Sequence, residues 1–253
     1  MQNFANKITL VKNSRGVYDL DTSKGCYSGM LNNTKGCYCD CYAARYSRKY
    51  GYVFNNTVLR HFENEKHKEK IIRQINKIDM PFIRLGVTGD PSENWKHTIK
   101  ICNEISIVNK TIVIITKHWH LLTLSQLKDL SKLNIIINTS VSALDNELIL
   151  NHRISQYNTL KNYCKSVIRI ISCDFNTKNK LGRKLSYVQS KLFENENVLD
   201  TALRVYNKNE YVLSGLINIE QIKFLGKKCN FSMYNKNTYI GECSKCLEMC
   251  GMN

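Results

Sequence analysis

The chain has 253 residues, of which 43% are hydrophobic and 23% charged, so it can bury a large core and does not have the composition of a disordered protein. Its net charge of +16 fits an anionic partner such as nucleic acid, although a general bias towards Lys, Asn and Ile explains the charge equally well. The longest apolar runs have strand length and the first residues contain no apolar signal core, so we expect a cytoplasmic protein without a membrane span.

The predicted elements begin with a short strand over residues 16–21, a cysteine-rich loop and a charged helix over residues 61–78. Strands then alternate with helices: strands are predicted at 82–90, 111–116, 134–141 and 166–175, and helices at 92–108, 123–133 and 145–164. Ser92 is the expected N-cap of the helix at 92–108. Residues 198–218 predict one more helix followed by a last strand.

Apolar strands that alternate with helices predict a parallel sheet covered by helices. About six βα units fit the chain, so we expect an α/β fold, namely a partial (β/α)6 TIM-like barrel over residues 1–225. A cysteine-rich tail over residues 226–253 follows it as a second, metal-binding unit. Active sites in such sheets lie at the carboxyl ends of the strands.

Four cysteines follow the first predicted strand, namely Cys26, Cys37, Cys39 and Cys41. In the cytoplasm, clustered thiols indicate a metal site or catalysis more often than disulfides. We expect Cys26, Cys37 and Cys41 to be the ligands, with Cys39 as the alternative that replaces Cys37. Both a zinc ion and an iron–sulfur cluster are compatible with this set.

The segment GCYCDCYA at residues 36–43 resembles the cysteine loop of radical S-adenosylmethionine (radical SAM) enzymes, in particular phage-associated and spore-photoproduct-lyase-like members with a widened loop. The usual family spacing is C-x3-C-x2-C, whereas here ten residues separate Cys26 from Cys37 and three separate Cys37 from Cys41. The turn TGDPS at residues 88–92 is similar to the GGEP-like turn that follows the second strand in that family. The alternative for this turn is an ordinary βα connection with a helix-capping acid.

This resemblance implies a 4Fe–4S cluster with one open iron, which binds S-adenosylmethionine and cleaves it reductively to a 5′-deoxyadenosyl radical that acts on a substrate. It implies that Gly89, Asp90 and Pro91 hold the amino group of the cofactor. Candidates for its ribose and carboxylate are Asn138, Ser140 and Ser142, for which bonding to neighbouring backbone is the alternative. A flavodoxin or ferredoxin would donate the electron, and a nucleic acid or a peptide is a possible substrate.

The tail contains a second cysteine set with the spacing C-x13-C-x2-C-x3-C, formed by Cys229, Cys243, Cys246 and Cys250. This spacing fits structural zinc and an auxiliary iron–sulfur cluster equally well. The alternative function for the whole chain is therefore a non-enzymatic zinc protein that binds nucleic acid through its basic surface.

Tyrosines recur at every fourth position in the segment after the cysteine loop, at Tyr42, Tyr46 and Tyr50. This spacing puts them on one helical face, and we expect that face to pack against the sheet. Stacking of these rings on a nucleic-acid strand is the alternative.

Overall fold

The computed structural model describes residues 5–31 and 33–253, which are built around a nine-stranded sheet. The strands in these residues are β1 (Val11–Lys12), β2 (Tyr18–Asp19), β3 (Ser23–Lys24), β4 (Val58–Leu59), β5 (Phe82–Leu85), β6 (Thr111–Thr116), β7 (Ile135–Val141), β8 (Lys165–Ser172), β9 (Val198–Arg204), β10 (Glu220–Phe224) and β11 (Lys227–Ser232). The α-helices in the same residues are α1 (Tyr27–Met30), α2 (Tyr42–Lys49), α3 (Glu65–Asn76), α4 (Trp95–Glu104), α5 (Leu124–Leu130), α6 (Glu147–Leu160), α7 (Lys180–Phe193) and α8 (Glu210–Leu213).

The sheet has the strand order β1-β2-β5-β6-β7-β8-β9-β11-β10. Strands β2 and β5 to β9 run parallel, whereas β1, β11 and β10 pair in antiparallel fashion at the two edges. The prediction of an α/β fold with a mostly parallel sheet is thereby confirmed. Pairing among the described strands leaves the sheet open, since no ladder joins β1 to β10.

The parallel strands follow one another in chain order without reversal. Because βαβ crossovers are right-handed, this order places the connecting helices on one face of the sheet. Val141 of β7 and Ile168 and Ile170 of β8 pack there against Tyr157 of α6. Strands β5 and β7 are buried along their whole length, including the polar residues Arg84, Asn138, Thr139 and Ser140.

The opposite face of the sheet is covered by the end of the chain. The Asn138 amide in β7 donates to the Cys250 carbonyl at 3.0 Å. A Cβ on Gly251 would lie 2.8 Å from Val167 of β8, which is the strand neighbour of Asn138. The cysteine-rich tail therefore fills the face of the sheet that the helices leave free.

Most helices begin close to the residues at which the sequence predicted them. At these positions polar side chains satisfy the first free backbone N–H groups of the helix. Thr123 and Gln126 form a capping box at α5, and Asn146 accepts from Ile149 N at α6. The prediction that Ser92 caps the helix after β5 is wrong. Asn94 caps α4, and Ser92 lies in a 3₁₀ turn over Pro91–Asn94 that Asp90 caps.

Two segments differ from their predictions. Helix α7 lies in a lysine-rich segment for which no element was predicted, although its apolar positions lie on one face of the helix. Residues 198–218 contain a strand first and a short helix second, the reverse of the predicted order. The predicted domain boundary at residue 225 lies within the β10–β11 hairpin, so the first residues of the predicted tail, Lys227–Ser232, belong to the sheet.

In the residues that the structure describes, no helix is both long enough and apolar enough to cross a membrane.

Candidate metal and cofactor site

The cysteine loop and the TGDPS turn are joined by backbone contacts at the carboxyl edge of the sheet. Gly25 N donates to Thr88 O at 3.0 Å, and Gly25 forms a parallel bridge with Gly89. A Cβ on Gly89 would lie 2.6 Å from the Ser23 carbonyl, so a glycine is required for this approach. The turn and the loop therefore form one structural unit.

Two carboxylates hold this turn in place. Asp21 accepts hydrogen bonds from the backbone N–H groups of residues 86, 87 and 88 at 2.9–3.0 Å. The buried Asp90 accepts from Ser92 N and Oγ, from Thr116 Oγ1 and from Lys117 N at 2.7–2.9 Å. Asp90 thus acts as the capping acid of the alternative interpretation and also ties the turn to the end of β6. A direct contact of Asp90 with a cofactor stays a prediction.

The thiols of Cys26 and Cys37 converge on Gly29. A Cβ at that position would lie 2.7 Å from Cys26 Sγ and 3.5 Å from Cys37 Sγ, so the two sulfurs are no further apart than the sum of these distances. Cys41 packs in the same apolar cluster as Cys26. Gly29 is required at this position because a side chain there would collide with the Cys26 sulfur.

Cys39 points to a different environment. Its Sγ accepts from Asn33 Nδ2 at 3.0 Å and donates to Glu210 Oε2 at 3.4 Å. The positive φ angles of Tyr38 and Cys39, 56° and 59°, turn the backbone between Cys37 and Cys41 and produce this separation. The Cys39 thiol therefore has hydrogen-bond partners of its own, although it lines the same cavity as Cys37, and the roles of all four cysteines as ligands stay predictions.

Glu93 is a site residue that the sequence argument missed. Its Oε1 accepts from Ser28 N at 2.9 Å and from Cys26 Sγ at 3.5 Å, and its Oε2 accepts from Thr57 Oγ1 at 3.2 Å. Burial and then the charges of Asp90 and Glu93 raise the pKa of Cys26 well above that of an ordinary thiol. The sequence signal that could have identified Glu93 is its position directly after the TGDPS turn.

A buried charged group lies beneath Cys37. Lys117 Nζ donates to Tyr38 Oη at 2.5 Å, and Arg153 Nε donates to the Lys117 carbonyl at 2.7 Å. Arg153 also pairs with Asp145 at 2.7 Å, and both side chains are almost fully buried. Burial raises the pKa of Cys37 to about 11, and the nearby Lys117 opposes this increase. A cavity of about 240 Å³ lies beside this group and is lined by Cys37, Tyr38, Cys39, Asp145 and Arg153 together with Gly29 and Trp119.

The polar residues predicted at the end of β7 are buried and lie in two environments. Asn138 faces the tail, and its Oδ1 has no hydrogen-bond partner among the described residues. Ser142 Oγ donates to the Ile171 carbonyl at 2.8 Å, which is the backbone-bonded alternative. Ser140 is buried between them on β7, next to Arg169 of β8. Contacts of these three residues with a cofactor stay predictions.

Three of the four tail cysteines lie beside arginines. Arg15 and Arg84 lower the pKa of Cys243, although burial raises it more, and Arg169 interacts with Cys250. Cys246 N donates to the Cys243 carbonyl at 3.1 Å. All three cysteines line a cavity of about 290 Å³ together with these arginines. Cys229 packs elsewhere, in the apolar cluster of Phe224 and Phe231.

Within residues 5–31 and 33–253, no group of three or more His, Cys, Asp or Glu side chains is arranged to hold a metal ion. A 4Fe–4S cluster poses a different demand, because each thiolate binds a different iron and the sulfurs need not meet at one point. Thiol donors such as Cys26, Cys37 and Cys41 are the donor type that this cluster takes.

The prediction that Tyr42, Tyr46 and Tyr50 pack against the sheet is wrong. Their side chains are 49%, 42% and 51% exposed, and α2 instead buries its small residues Ala43, Ala44 and Ser47.

Comparison of the chain with protein-family models, with curated proteins and with solved structures gave no match.

Proposed function

We propose that this protein is a radical SAM enzyme in which Cys26, Cys37 and Cys41 hold a 4Fe–4S cluster. The observation that carries the proposal is the convergence of Cys26 and Cys37 on Gly29, directly beside the Gly89–Pro91 turn. The turn and the loop are far apart in sequence and are joined by the Gly25–Thr88 hydrogen bond and by Glu93. The resemblance to radical SAM enzymes predicts that the cysteine loop and the turn adjoin each other.

The fold supports the proposal in a second way. Six parallel strands in chain order, with their helices on one face, are the arrangement expected of a partial (β/α)6 TIM-like barrel over residues 1–225. The site lies after β2 and β5, at the carboxyl ends of strands, where enzymes of this architecture carry their chemistry.

When bound, the cluster would supply the electron that cleaves S-adenosylmethionine. The residues of this chain bind and position it. Asp21 and Asp90 fix the turn whose backbone lies beside the thiols, and Glu93 ties Ser28 and Thr57 to that turn. The cations of Lys117 and Arg153 offset the negative charge of the Cys37 thiolate in a buried setting. Gly89, Asp90, Pro91, Asn138, Ser140 and Ser142 are the proposed contacts of S-adenosylmethionine.

We assign Cys243, Cys246 and Cys250, without Cys229, to a second metal centre, either zinc or a further iron–sulfur cluster. The guanidinium groups of Arg15, Arg84 and Arg169 favour anionic thiolates, which are the form that binds metal. A small electron carrier such as a flavodoxin or ferredoxin would reduce the enzyme, and we propose that it acts in the cytoplasm.

The experiment that tests the proposal is anaerobic reconstitution with iron and sulfide, followed by reduction in the presence of S-adenosylmethionine. We expect a brown protein that forms 5′-deoxyadenosine. A Cys37→Ala variant should lose at least about 100-fold in this activity, because the cluster loses one of its three thiolates.

The matched control is Cys39→Ala, which removes a thiol from the same loop but from a different environment and should retain activity within about twofold. Loss with Cys39→Ala and retention with Cys37→Ala would assign the ligand to Cys39. A colourless protein that binds zinc and forms no 5′-deoxyadenosine would refute the proposal in favour of the non-enzymatic zinc protein.

A further inference from the structure

Helix α2 presents three tyrosines to solvent, and we call Tyr42, Tyr46 and Tyr50 the tyrosine stripe. The ring centroids of Tyr42 and Tyr46 are 6.4 Å apart, and those of Tyr46 and Tyr50 are 4.4 Å apart. Each ring is between 42% and 51% exposed. A contiguous row of exposed aromatic rings is uncommon on a protein surface unless it contacts a partner.

The helix does not need these rings for its own packing. Its inner face consists of Ala43, Ala44 and Ser47, which are buried beneath it. The rings at positions four apart therefore project along the outer face, where they form a row about 12 Å long at 1.5 Å of rise per residue. The rings are therefore partly exposed along the outer face of α2.

Cations border the tyrosine stripe along its length. The Arg204 guanidinium lies over Tyr42 at 5.5 Å and Lys49 Nζ over Tyr50 at 5.4 Å. Arg48 is exposed on the same helix. Residues 41–62 contain no Asp or Glu, so the sequence that forms the stripe has no negative charge of its own.

The nearest carboxylate is already neutralised. Asp40 pairs with Arg45 at 2.8 Å and is 10% exposed. Arg45 in turn lies over the Tyr206 ring at 3.6 Å, which adds a fourth aromatic residue, itself 44% exposed, to the same basic surface. The surface therefore extends from α2 to the segment that follows β9.

We propose that the tyrosine stripe binds single-stranded nucleic acid. Exposed aromatic rings stack on unpaired bases of any sequence, while Arg and Lys side chains beside them neutralise the phosphates. In a duplex the bases already stack on one another, so the rings would have nothing to stack on. The occupant is therefore a single strand, and the net charge of +16 favours its approach. This proposal does not depend on the iron–sulfur chemistry.

The test is fluorescence anisotropy with a labelled oligothymidylate of about 15 nucleotides, an oligouridylate of equal length and a matched duplex. We expect single strands to bind more tightly than the duplex, and affinity to fall steeply with salt. Tyr46→Ala should weaken binding about tenfold or more, whereas Tyr46→Phe, which keeps the ring, should stay within about twofold. Arg204→Gln should reduce the salt slope by about 1 if this side chain contacts one phosphate.

The control is Tyr187→Ala on α7. Tyr187 is also exposed, at 64%, and also has a lysine over its ring, with Lys191 Nζ at 5.6 Å, but it has no row of neighbouring rings. We expect this variant to bind like the unaltered chain. A Cys37→Ala variant should also bind normally, so a failure of the radical SAM assignment would not affect this measurement.

Three results would overturn the proposal: no binding of either single strand at low salt, an equal or tighter affinity for the duplex, or an unchanged affinity in Tyr46→Ala. The last result would show that the rings do not contribute to nucleic-acid binding.

Discussion

Cys26 in the loop lies beside carboxylates, whereas Cys243 in the tail lies beside guanidinium groups. Burial raises the pKa of both thiols; Asp90 and Glu93 raise that of Cys26 further, while Arg15 and Arg84 oppose the increase at Cys243. Cys37 in the loop lies beside Lys117, so the two sets of thiols differ in their electrostatic surroundings at single positions rather than as a whole. Since the charge around a cluster helps set its reduction potential, two centres in this chain would not be equivalent.

The two regions also differ in what holds them. The loop is joined to the TGDPS turn by backbone hydrogen bonds and by the carboxylate of Glu93. The tail covers one face of the sheet, where it is held by the Asn138 amide and by contact of Gly251 with Val167. The first arrangement depends on rigid backbone contacts, and the second depends largely on side chains.

The largest expected effect concerns the metal content of the tail. Cys246→Ala should abolish metal binding at the tail while 5′-deoxyadenosine formation at the loop persists. Cys229→Ala should leave both unchanged, because Cys229 packs with Phe224 and Phe231 and not with the arginine-bordered cysteines. Metal analysis per chain measures this difference. Equal metal loss in the two variants would place Cys229 among the ligands and make the two regions more alike than the structure indicates.

A smaller effect concerns how firmly each region is held. A Cβ on Gly25 would lie 2.1 Å from the Asn56 carbonyl at a φ of +80°, so Gly25→Ala should lower the free energy of unfolding by about 4 kcal/mol. In the tail, Gly251→Ala meets the movable Val167 side chain at 2.8 Å and should cost about 2 kcal/mol.

Gly16→Ala is the control for these two variants. Gly16 has a φ of +83° but open space around it, so its cost should be about 1 kcal/mol, from backbone strain alone. Denaturant titration measures all three. A Gly25→Ala variant as stable as Gly16→Ala would show that the loop backbone shifts to accommodate the added Cβ at no cost beyond the backbone strain.

The last expected effect is a pH dependence of the free energy of unfolding, caused by a buried histidine on the loop side of the molecule. Burial lowers the pKa of His118 to about 3, so the folded protein keeps this imidazole neutral while the unfolded chain takes up a proton below its ordinary value of 6.5. The unfolded state then binds more protons, and stability falls as the pH decreases. Between pH 7 and pH 5 this amounts to about 2 kcal/mol.

A His118→Gln variant removes this titration and should flatten that part of the stability curve. The measurement is the free energy of unfolding at several pH values, for the variant and the unaltered chain. An unchanged slope in the variant would mean that His118 is not the group responsible. Amide exchange at low pH should also increase first around Lys117 and the loop rather than around the tail.

Much of the fold could be predicted because its signals are local. The apolar strands around Ile112–Ile114 and Ile135–Ile137 are buried on both faces, and such strands are recognisable without tertiary information. Helix α7 was not predicted because its many lysines dominate the segment, although its apolar residues lie on one face, and the strand of residues 198–204 was misplaced because it is half-buried near the edge of the sheet.

The candidate site could be predicted in part. The cysteines and the TGDPS turn are visible in the sequence, and their order along the chain indicates that they meet at one edge of the sheet. Glu93 could have been suspected from its position directly after this turn, whereas its contacts with the loop and the buried Lys117–Tyr38 contact depend on which side chains the fold brings together. The spacing of Tyr42, Tyr46 and Tyr50 fixed a shared helical face but not the direction in which it points.

The sequence by itself determined the parallel α/β sheet and the two cysteine sets, because strand and helix periods and thiol spacing are local properties of the chain. Tertiary structure alone decided that the Cys39 thiol has hydrogen-bond partners of its own, that the tail lies among arginines, and that the tyrosines face solvent. The physical reason is that each of these depends on contacts between segments distant in sequence, and a local pattern specifies a face without specifying what that face meets.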